Sequence, residues 1–195
     1  MARSFHPQAR VASARHAVER AARAAVPRLA DFCFIHVRSR AWLKGVAAAH
    51  VTAQGDRDVR ALMRARRIAV TDEESTVARV VRTGRPVLRA TVPPDPVAAP
   101  NGDRSALLLR RLAPRSVLVV PIAAGKTVLG AVSLCYADSG RTYLSRDLPP
   151  ARRIARQIAA TLVPDAPAHA PLRLRATARH AGHGPVIRRR VAARE

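Results

Sequence analysis

Hydrophobic positions near the start of the chain recur at helical spacing. Over Val11–Val26 the apolar residues return every three or four positions, and Arg15 and Glu19 lie on another face. This period predicts an amphipathic helix that ends at Pro27. Its apolar stripe is mostly alanine, so the helix can approach closely either a sheet or the helix of a partner.

The next two segments have the alternating pattern of strands. Asp31–Arg38 and Trp42–Val51 are separated by three residues, a spacing that predicts a hairpin. In the first strand one face carries Phe32, Phe34 and His36, and the other carries Cys33, Ile35 and Val37. Both faces are mostly apolar, so both must be covered, and we expect a layered fold.

The middle of the chain predicts shorter elements. One helix is expected over Asp56–Arg67 and another from the capping-box sequence Thr71–Glu74 to Gly84. An extended run follows over Arg85–Leu88, and a third helix is expected over Ala106–Leu112. The segment Thr91–Arg104 holds four prolines and a glycine, which predicts a mobile loop.

A second hairpin and a last helix complete the pattern. Ser116–Ile122 and Thr127–Ala137 are β-rich runs joined by a turn at Ala124–Lys126, and Asp147–Leu162 has a helical stripe with Asp147 as its predicted cap. Periodicity stops at Pro164. We therefore predict a flexible arm over residues 1–10, a single domain over 11–163 and a disordered tail over 164–195.

Composition and charge narrow the function classes. Hydrophobic residues make up 48% of the chain, which is typical of a globular protein, and neither a membrane span nor a signal peptide is predicted. We expect a cytoplasmic protein that does not bind membranes. The net charge of +22 comes almost entirely from arginine, is spread along the chain and is accompanied by only 3% aromatic residues. Only non-specific binding to nucleic acid is expected.

Three segments carry a family resemblance: Val77–Val87, Leu109–Ile122 and Val128–Leu148. Over roughly residues 28–163 the chain resembles the GAF domains of bacterial PAS/GAF sensor histidine kinases and related phosphatase regulators. The resemblance implies an α+β, PAS-related fold with a central antiparallel six-stranded sheet. The N- and C-terminal helices would lie on one face, and a pocket covered by loops and helices on the other.

The resemblance also implies a non-enzymatic sensory or regulatory module of bacterial signal transduction. Such a module binds a small molecule or a partner protein, here a histidine kinase or phosphatase, and often forms a homodimer through its terminal helices. Three alternatives remain open: a dimerisation or interaction module without a ligand, a truncated relict of a sensor kinase, and a basic nucleic-acid-associated protein. Residues 164–195 contain no glycine-rich nucleotide motif, so kinase activity is not carried over.

Other subclasses of the family fit less well. The segment Tyr136–Leu148 retains only Asp147 of the pattern that accompanies cyclic-nucleotide binding. Cys33 and Cys135 fall in predicted strands, which disfavours both a bilin attachment and the reactive loop thiols of free methionine sulfoxide reductases. His169, His180 and His183 lie in the predicted tail and are a weak metal signal. We predict no catalytic residue, no metal and no cofactor.

The predicted ligand-binding residues fall into two groups. Phe34, His36, His50 and Ser116 are candidates for lining the pocket, where a few polar groups would stand in an apolar concavity. Arg79, Thr83 and Arg85 surround the predicted helix end at Gly84, where arginines could hold an anionic ligand.

Overall fold

A computed structural model describes residues 7–93 and 104–163. In this part of the chain five α-helices and six strands follow one another. They are α1 (Pro7–Ala25), β1 (Phe32–Ser39), β2 (Trp42–His50), α2 (Ala53–Ala65), β3 (Ile68–Ala69), α3 (Thr76–Thr83), β4 (Val87–Arg89), α4 (Arg104–Leu112), β5 (Ser116–Ala124), β6 (Thr127–Tyr136) and α5 (Leu148–Leu162). None of these helices is long and apolar enough to cross a membrane.

The strands form one antiparallel sheet in the order β3-β2-β1-β6-β5-β4. The six-stranded α+β fold that the resemblance implied is confirmed. Hydrophobic period alone missed β3, because Ile68 fits the apolar stripe of the preceding helix and β3 is only two residues long. Its register with β2 joins Leu43 to Ile68 and Trp42 to Ala69.

Helices cover both faces of the sheet, as the apolar hairpin faces predicted. One layer consists of α1 and α5, whose Val18, Ala22, Ala155 and Ile158 pack on the sheet near Ile35. The alanine stripe of α1 is therefore used against the sheet. The other layer consists of α2, α3 and α4, and the face beneath it carries the candidate site.

Two predicted helix starts were wrong. α2 begins after Thr52, whose hydroxyl accepts a hydrogen bond from the Gly55 N–H at 3.1 Å, so its first turn precedes the predicted start at Asp56. α3 is capped by Ser75, which accepts from the Ala78 N–H at 3.3 Å, and not by Thr71. α2 starts earlier than predicted because the Thr52 hydroxyl satisfies a free N–H group of its first turn, and α3 starts later because Ser75, which is nearer than Thr71 to the apolar stripe, does the same.

Other boundaries lie close to the predictions. α3 ends at Thr83 and is capped by Gly84, whose φ of 65° is left-handed, as the glycine suggested. Asp147 precedes α5, but its carboxylate accepts from the Leu144 N–H at 2.7 Å within a short 3₁₀ turn and does not cap α5. α1 begins at Pro7, four residues before the predicted start. The predicted tail and most of the predicted loop Thr91–Arg104 lie outside the described residues.

A set of hydrogen bonds fastens the segment after β6 to the segment before β1. The Asp31 carboxylate accepts from the backbone N–H groups of Ala137 at 2.7 Å and Ser139 at 3.0 Å. The Tyr143 hydroxyl donates to the Leu29 carbonyl at 2.6 Å, and Arg141 donates to the Pro27 carbonyl at 2.7 Å. We call these contacts the junction clamp, because they join the residues that follow α1 to those that precede α5.

Candidate functional site

Two apolar clusters lie between the sheet and the layer of α2, α3 and α4. The first contains Phe32 and Cys135 of the sheet under Leu62 and Leu108 of the helices. The second contains Leu43, Ala131 and Val119 of the sheet and Val80 of α3. Two buried polar side chains share this face of the sheet with the clusters.

These side chains are His36 of β1 and Ser133 of β6, which are adjacent strands. His36 pairs with Ala131, and Ser133 pairs with Phe34, so the two side chains are diagonal neighbours on one face. They are 7% and 4% exposed. The His36 Nδ1 and the Ser133 Oγ are the two buried side-chain atoms in the described part of the chain that have no hydrogen-bond partner.

The environment of His36 keeps its ring neutral. Burial, together with the positive charge of Arg66, lowers the pKa of His36 to about 4. At neutral pH the imidazole therefore carries one N–H donor and one acceptor nitrogen. A buried polar atom without a partner costs about 1–3 kcal/mol, so a pair of them on one face is an unusual feature of a folded protein.

A row of rings borders the pair. The Phe34 ring lies 6.2 Å from the His36 ring and meets Phe32 edge-on at 5.8 Å. His50 stacks on the other side of Phe32 at 5.6 Å. Phe34 is half-buried, so this row gives the polar pair an apolar flank.

The structure gives His50 a local packing role. Its Nδ1 accepts from the Thr52 N–H at 3.0 Å, beside the start of α2. Gly55 passes so close to the ring that a Cβ at this position would overlap it. The fold thus brings Phe34 and His36 together at the centre of this face and places His50 at its margin.

The remaining predicted residues lie elsewhere. Arg79, Thr83 and Arg85 are all exposed at the end of α3, where the Thr83 hydroxyl donates to the Arg79 carbonyl at 2.8 Å. Ser116 is buried on the opposite face, with Leu118 and Val120. These four residues are not brought together with His36, and their role in ligand binding stays a prediction.

Ser116 has a structural explanation. Its hydroxyl donates to the Arg89 carbonyl at 3.0 Å and accepts from the Tyr143 N–H at 3.0 Å, so it links β4 to the segment before α5. Ser133, by contrast, was missed by the sequence reasoning. The signal was available, because Ser133 alternates with Ala131 and Cys135 and so shares their face.

Both cysteines are buried and unpaired in a disulfide. Cys33 lies in the core under α1 and α5, while Cys135 lies on the other face of the sheet. Burial raises the pKa of Cys33 to about 12 and raises the pKa of Cys135 as well, so neither thiol ionises readily at neutral pH. The described residues contain no cluster of three or more side chains suited to a metal ion.

The sequence and the fold of this chain are similar to those of known proteins. The family model for the GAF domain matches residues 11–163. No curated protein matches the sequence of the chain.

Several solved structures share the fold. A GAF domain/HD domain protein from Geobacter sulfurreducens aligns with a TM-score of 0.58 at 13% identity, over 76% of this chain and 91% of that chain. The GAF-B domain of DevS from Mycobacterium smegmatis aligns with a TM-score of 0.53 at 20% identity, over 76% of this chain and 91% of that chain. A type II free methionine-R-sulfoxide reductase from Thermoplasma acidophilum aligns with a TM-score of 0.55 at 15% identity, over 78% of this chain and 94% of that chain.

At these identities the likeness to solved structures shows the fold alone, whereas the family match extends over most of the sequence. GAF domains are generic sensory and regulatory modules of signalling proteins and are generally non-enzymatic. The chain has a six-stranded antiparallel sheet between two helical layers. Because the family model for the GAF domain also matches residues 11–163, the chain belongs to the GAF domain family.

Proposed function

We propose that this chain is a non-enzymatic sensory module that binds a small molecule between the sheet and the layer of α2, α3 and α4. The observation that carries the proposal is the pair of unpartnered buried atoms, His36 Nδ1 and Ser133 Oγ. A ligand that hydrogen-bonds to both would offset the free energy that their burial costs.

The surroundings of the pair favour an uncharged ligand with a flat apolar part. The His36 ring is neutral at pH 7, so it offers hydrogen bonds without a full charge. Phe34 supplies a ring edge and face beside it. An anionic ligand would instead be expected at Arg79 and Arg85, which are exposed.

The buried thiols favour a binding role over a reductase role. A thiol that attacks a sulfoxide must reach it and must ionise, and Cys33 and Cys135 are both buried with raised pKa values. The chain has two cysteines in total. The likeness to a sulfoxide reductase therefore supports the fold and gives no support for its chemistry here.

Output through a partner belongs to the same proposal. The proposed partner is a histidine kinase or phosphatase, and the proposed location is the cytoplasm, in a bacterial two-component pathway. We also propose a homodimer through α1 and α5. Family membership supports these three proposals. The exposed face of α5 carries Arg152, Arg153 and Arg156, so parallel pairing of this face would bring like charges together. Nucleic-acid binding is expected to be non-specific.

Ligand binding can be tested with the folded full-length chain. The chain is purified without denaturant, and small molecules released on unfolding are identified by mass spectrometry. We expect a compound that raises the melting temperature when added back, and we expect His36→Phe and Ser133→Ala each to reduce that shift.

Arg79→Ala/Arg85→Ala is the matched control and should retain the full shift. A compound whose effect survives in both His36→Phe and Ser133→Ala would contradict the proposed site. Failure to recover any compound, together with no melting shift across a metabolite panel, would contradict ligand binding and favour the interaction-module alternative.

A further inference from the structure

Five arginines line an open groove between α2 and α4. The groove has a volume of about 420 Å³, and nine residues of the described part of the chain line it: Arg57, Asp58, Arg60, Ala61, Arg64, Arg104, Leu107, Leu108 and Arg111. It lies on the outer side of the helical layer, where both helices face solvent. Charge that is spread along the sequence is thus concentrated here by the fold.

Each wall of the groove has the same helical spacing. Along α2 the lining residues Arg57, Arg60 and Arg64 fall at relative positions 0, 3 and 7. Along α4 those positions are taken by Arg104, Leu107 and Arg111. Because such positions share one helix face, each wall is a stripe about 10 Å long at 1.5 Å per residue.

The positive charge of the groove is only partly balanced. Arg60 pairs with Asp56 at 2.8 Å, and Arg57 is hydrogen-bonded to Gln54. Among the lining residues that the structure describes, Asp58 is the single acidic one. Among the described residues, Arg64 and Arg111 have no carboxylate within ion-pair distance, so the groove carries a net attraction for anions.

The apolar part of the groove distinguishes between anionic partners. Leu107 is 46% exposed and stands between the two α4 arginines, beside Leu108 and Ala61. An exposed leucine makes no favourable contact with a phosphodiester backbone, and none of the described lining residues is an aromatic side chain that could stack on a base. A peptide with carboxylates on both sides of an apolar side chain matches the lining in charge and in hydrophobicity.

We propose that the groove between α2 and α4 is a docking site for an acidic, amphipathic segment of a partner protein. Carboxylates of the segment pair with Arg64, Arg104 and Arg111, and an apolar side chain covers Leu107. Arginine suits this role because its planar guanidinium donates two parallel hydrogen bonds to a carboxylate. The proposal goes beyond ligand sensing and does not depend on His36 or Ser133.

The test is fluorescence anisotropy with the full-length chain and three labelled probes. The first probe is a short peptide of glutamate and alanine with leucines one helical turn apart. The second replaces the leucines by serine, and the third is a single-stranded oligonucleotide of equal charge. Titrations in about 150 mM salt limit contributions from distant charges, because the screening length is then about 8 Å.

Two double variants separate the groove from general charge. Arg64→Glu/Arg111→Glu reverses two groove arginines, whereas Arg110→Glu/Arg152→Glu makes the same change in net charge at exposed sites outside the lining. We expect the groove variant to weaken binding of the leucine peptide by about tenfold or more, and the control by less than about threefold. Leu107→Ser should weaken the leucine peptide and leave the serine peptide unchanged.

Three results would overturn the proposal. Equal loss in the two double variants would show general charge attraction only. Equal affinity for the leucine and serine peptides would remove the role of Leu107, and tighter binding of the oligonucleotide at this salt would assign the groove to nucleic acid. Circular dichroism of each variant checks that the fold is retained.

Discussion

Buried polar residues in and beside the sheet differ in whether the fold supplies their hydrogen-bond partners. Asp31 is buried, and its carboxylate accepts two backbone hydrogen bonds. His36 and Ser133 are also buried, but the His36 Nδ1 and the Ser133 Oγ have no hydrogen-bond partner. The first arrangement stabilises the fold, and the second costs stability when no ligand is bound. We expect substitutions at these positions to have opposite effects on the free energy of unfolding.

His36→Phe should flatten the dependence of stability on pH. The pKa of His36 is about 4 in the folded chain, below the usual value of 6.5, so the unfolded chain takes up a proton first as the pH falls. Between about pH 6.5 and 4 the wild-type chain then loses up to about 1.4 kcal/mol of stability per pH unit through this residue.

Urea unfolding at pH 7 and pH 5 measures this effect. The free energy of unfolding should fall more between the two pH values in the wild type than in His36→Phe, and at pH 7 the variant should be as stable as the wild type or slightly more stable. Equal losses in the two proteins would contradict a buried neutral histidine.

Asp31→Ala should destabilise the chain by about 2–3 kcal/mol, because it leaves the N–H groups of Ala137 and Ser139 without an acceptor. Burial alone would raise the pKa of Asp31, but these hydrogen bonds outweigh it and the net pKa is lowered. The stabilisation is therefore present above the usual Asp pKa and is lost as the pH falls through the folded value.

Asp138→Ala is a matched control, because Asp138 is exposed in the same segment. Thermal and urea unfolding should change little in this variant. A loss in Asp138→Ala as large as that in Asp31→Ala would assign the effect to the segment in general.

At the scale of elements, the close contact between β1 and β6 depends on one glycine. A Cβ added at Gly130 would overlap the backbone carbonyl oxygen of His36, and backbone cannot move aside as a flexible side chain can. Gly84, in contrast, has space for a Cβ but a φ of 65°.

Gly130→Ala should therefore destabilise the chain by more than about 3 kcal/mol, by forcing β1 and β6 apart. Gly84→Ala should cost about 1–2 kcal/mol, through backbone strain alone. Urea unfolding of the two variants measures the difference. A Gly130→Ala chain that is as stable as Gly84→Ala would contradict the packing described for this strand pair.

The sequence predicted elements where a hydrophobic period runs over a whole helix or strand. It failed at β3, because two residues are too few to show alternation, and at the start of α3, where two neighbouring hydroxyls competed as caps. His36 could be placed on the correct face from alternation. The lack of a hydrogen-bond partner for its Nδ1 could not be predicted, because it depends on the register between β1 and β6. No local sequence pattern encodes that register.

At the scale of the whole molecule, net charge opposes association between copies. The chain carries +22, and the exposed face of α5 adds three arginines where a parallel homodimer would form. Any such dimer should strengthen as salt screens this repulsion.

Sedimentation equilibrium at about 50 and 500 mM salt measures the effect, because the screening length falls several-fold over this range. We expect the dissociation constant of the dimer to decrease with salt, and to depend less on salt in Arg152→Glu/Arg156→Glu. A dimer that weakens with salt would indicate an interface held by ion pairs, and thus a different surface.

The junction clamp has a mechanical consequence for signalling. It joins the segment that follows α1 to the segment that precedes α5 beside the paired ends of β1 and β6, through Asp31, Arg141 and Tyr143. The segment that leaves α1 and the segment that enters α5 therefore share one set of hydrogen bonds, and a change that breaks these bonds releases both segments. A displacement of the paired ends of β1 and β6 would thus reach the segments next to both terminal helices at the same time.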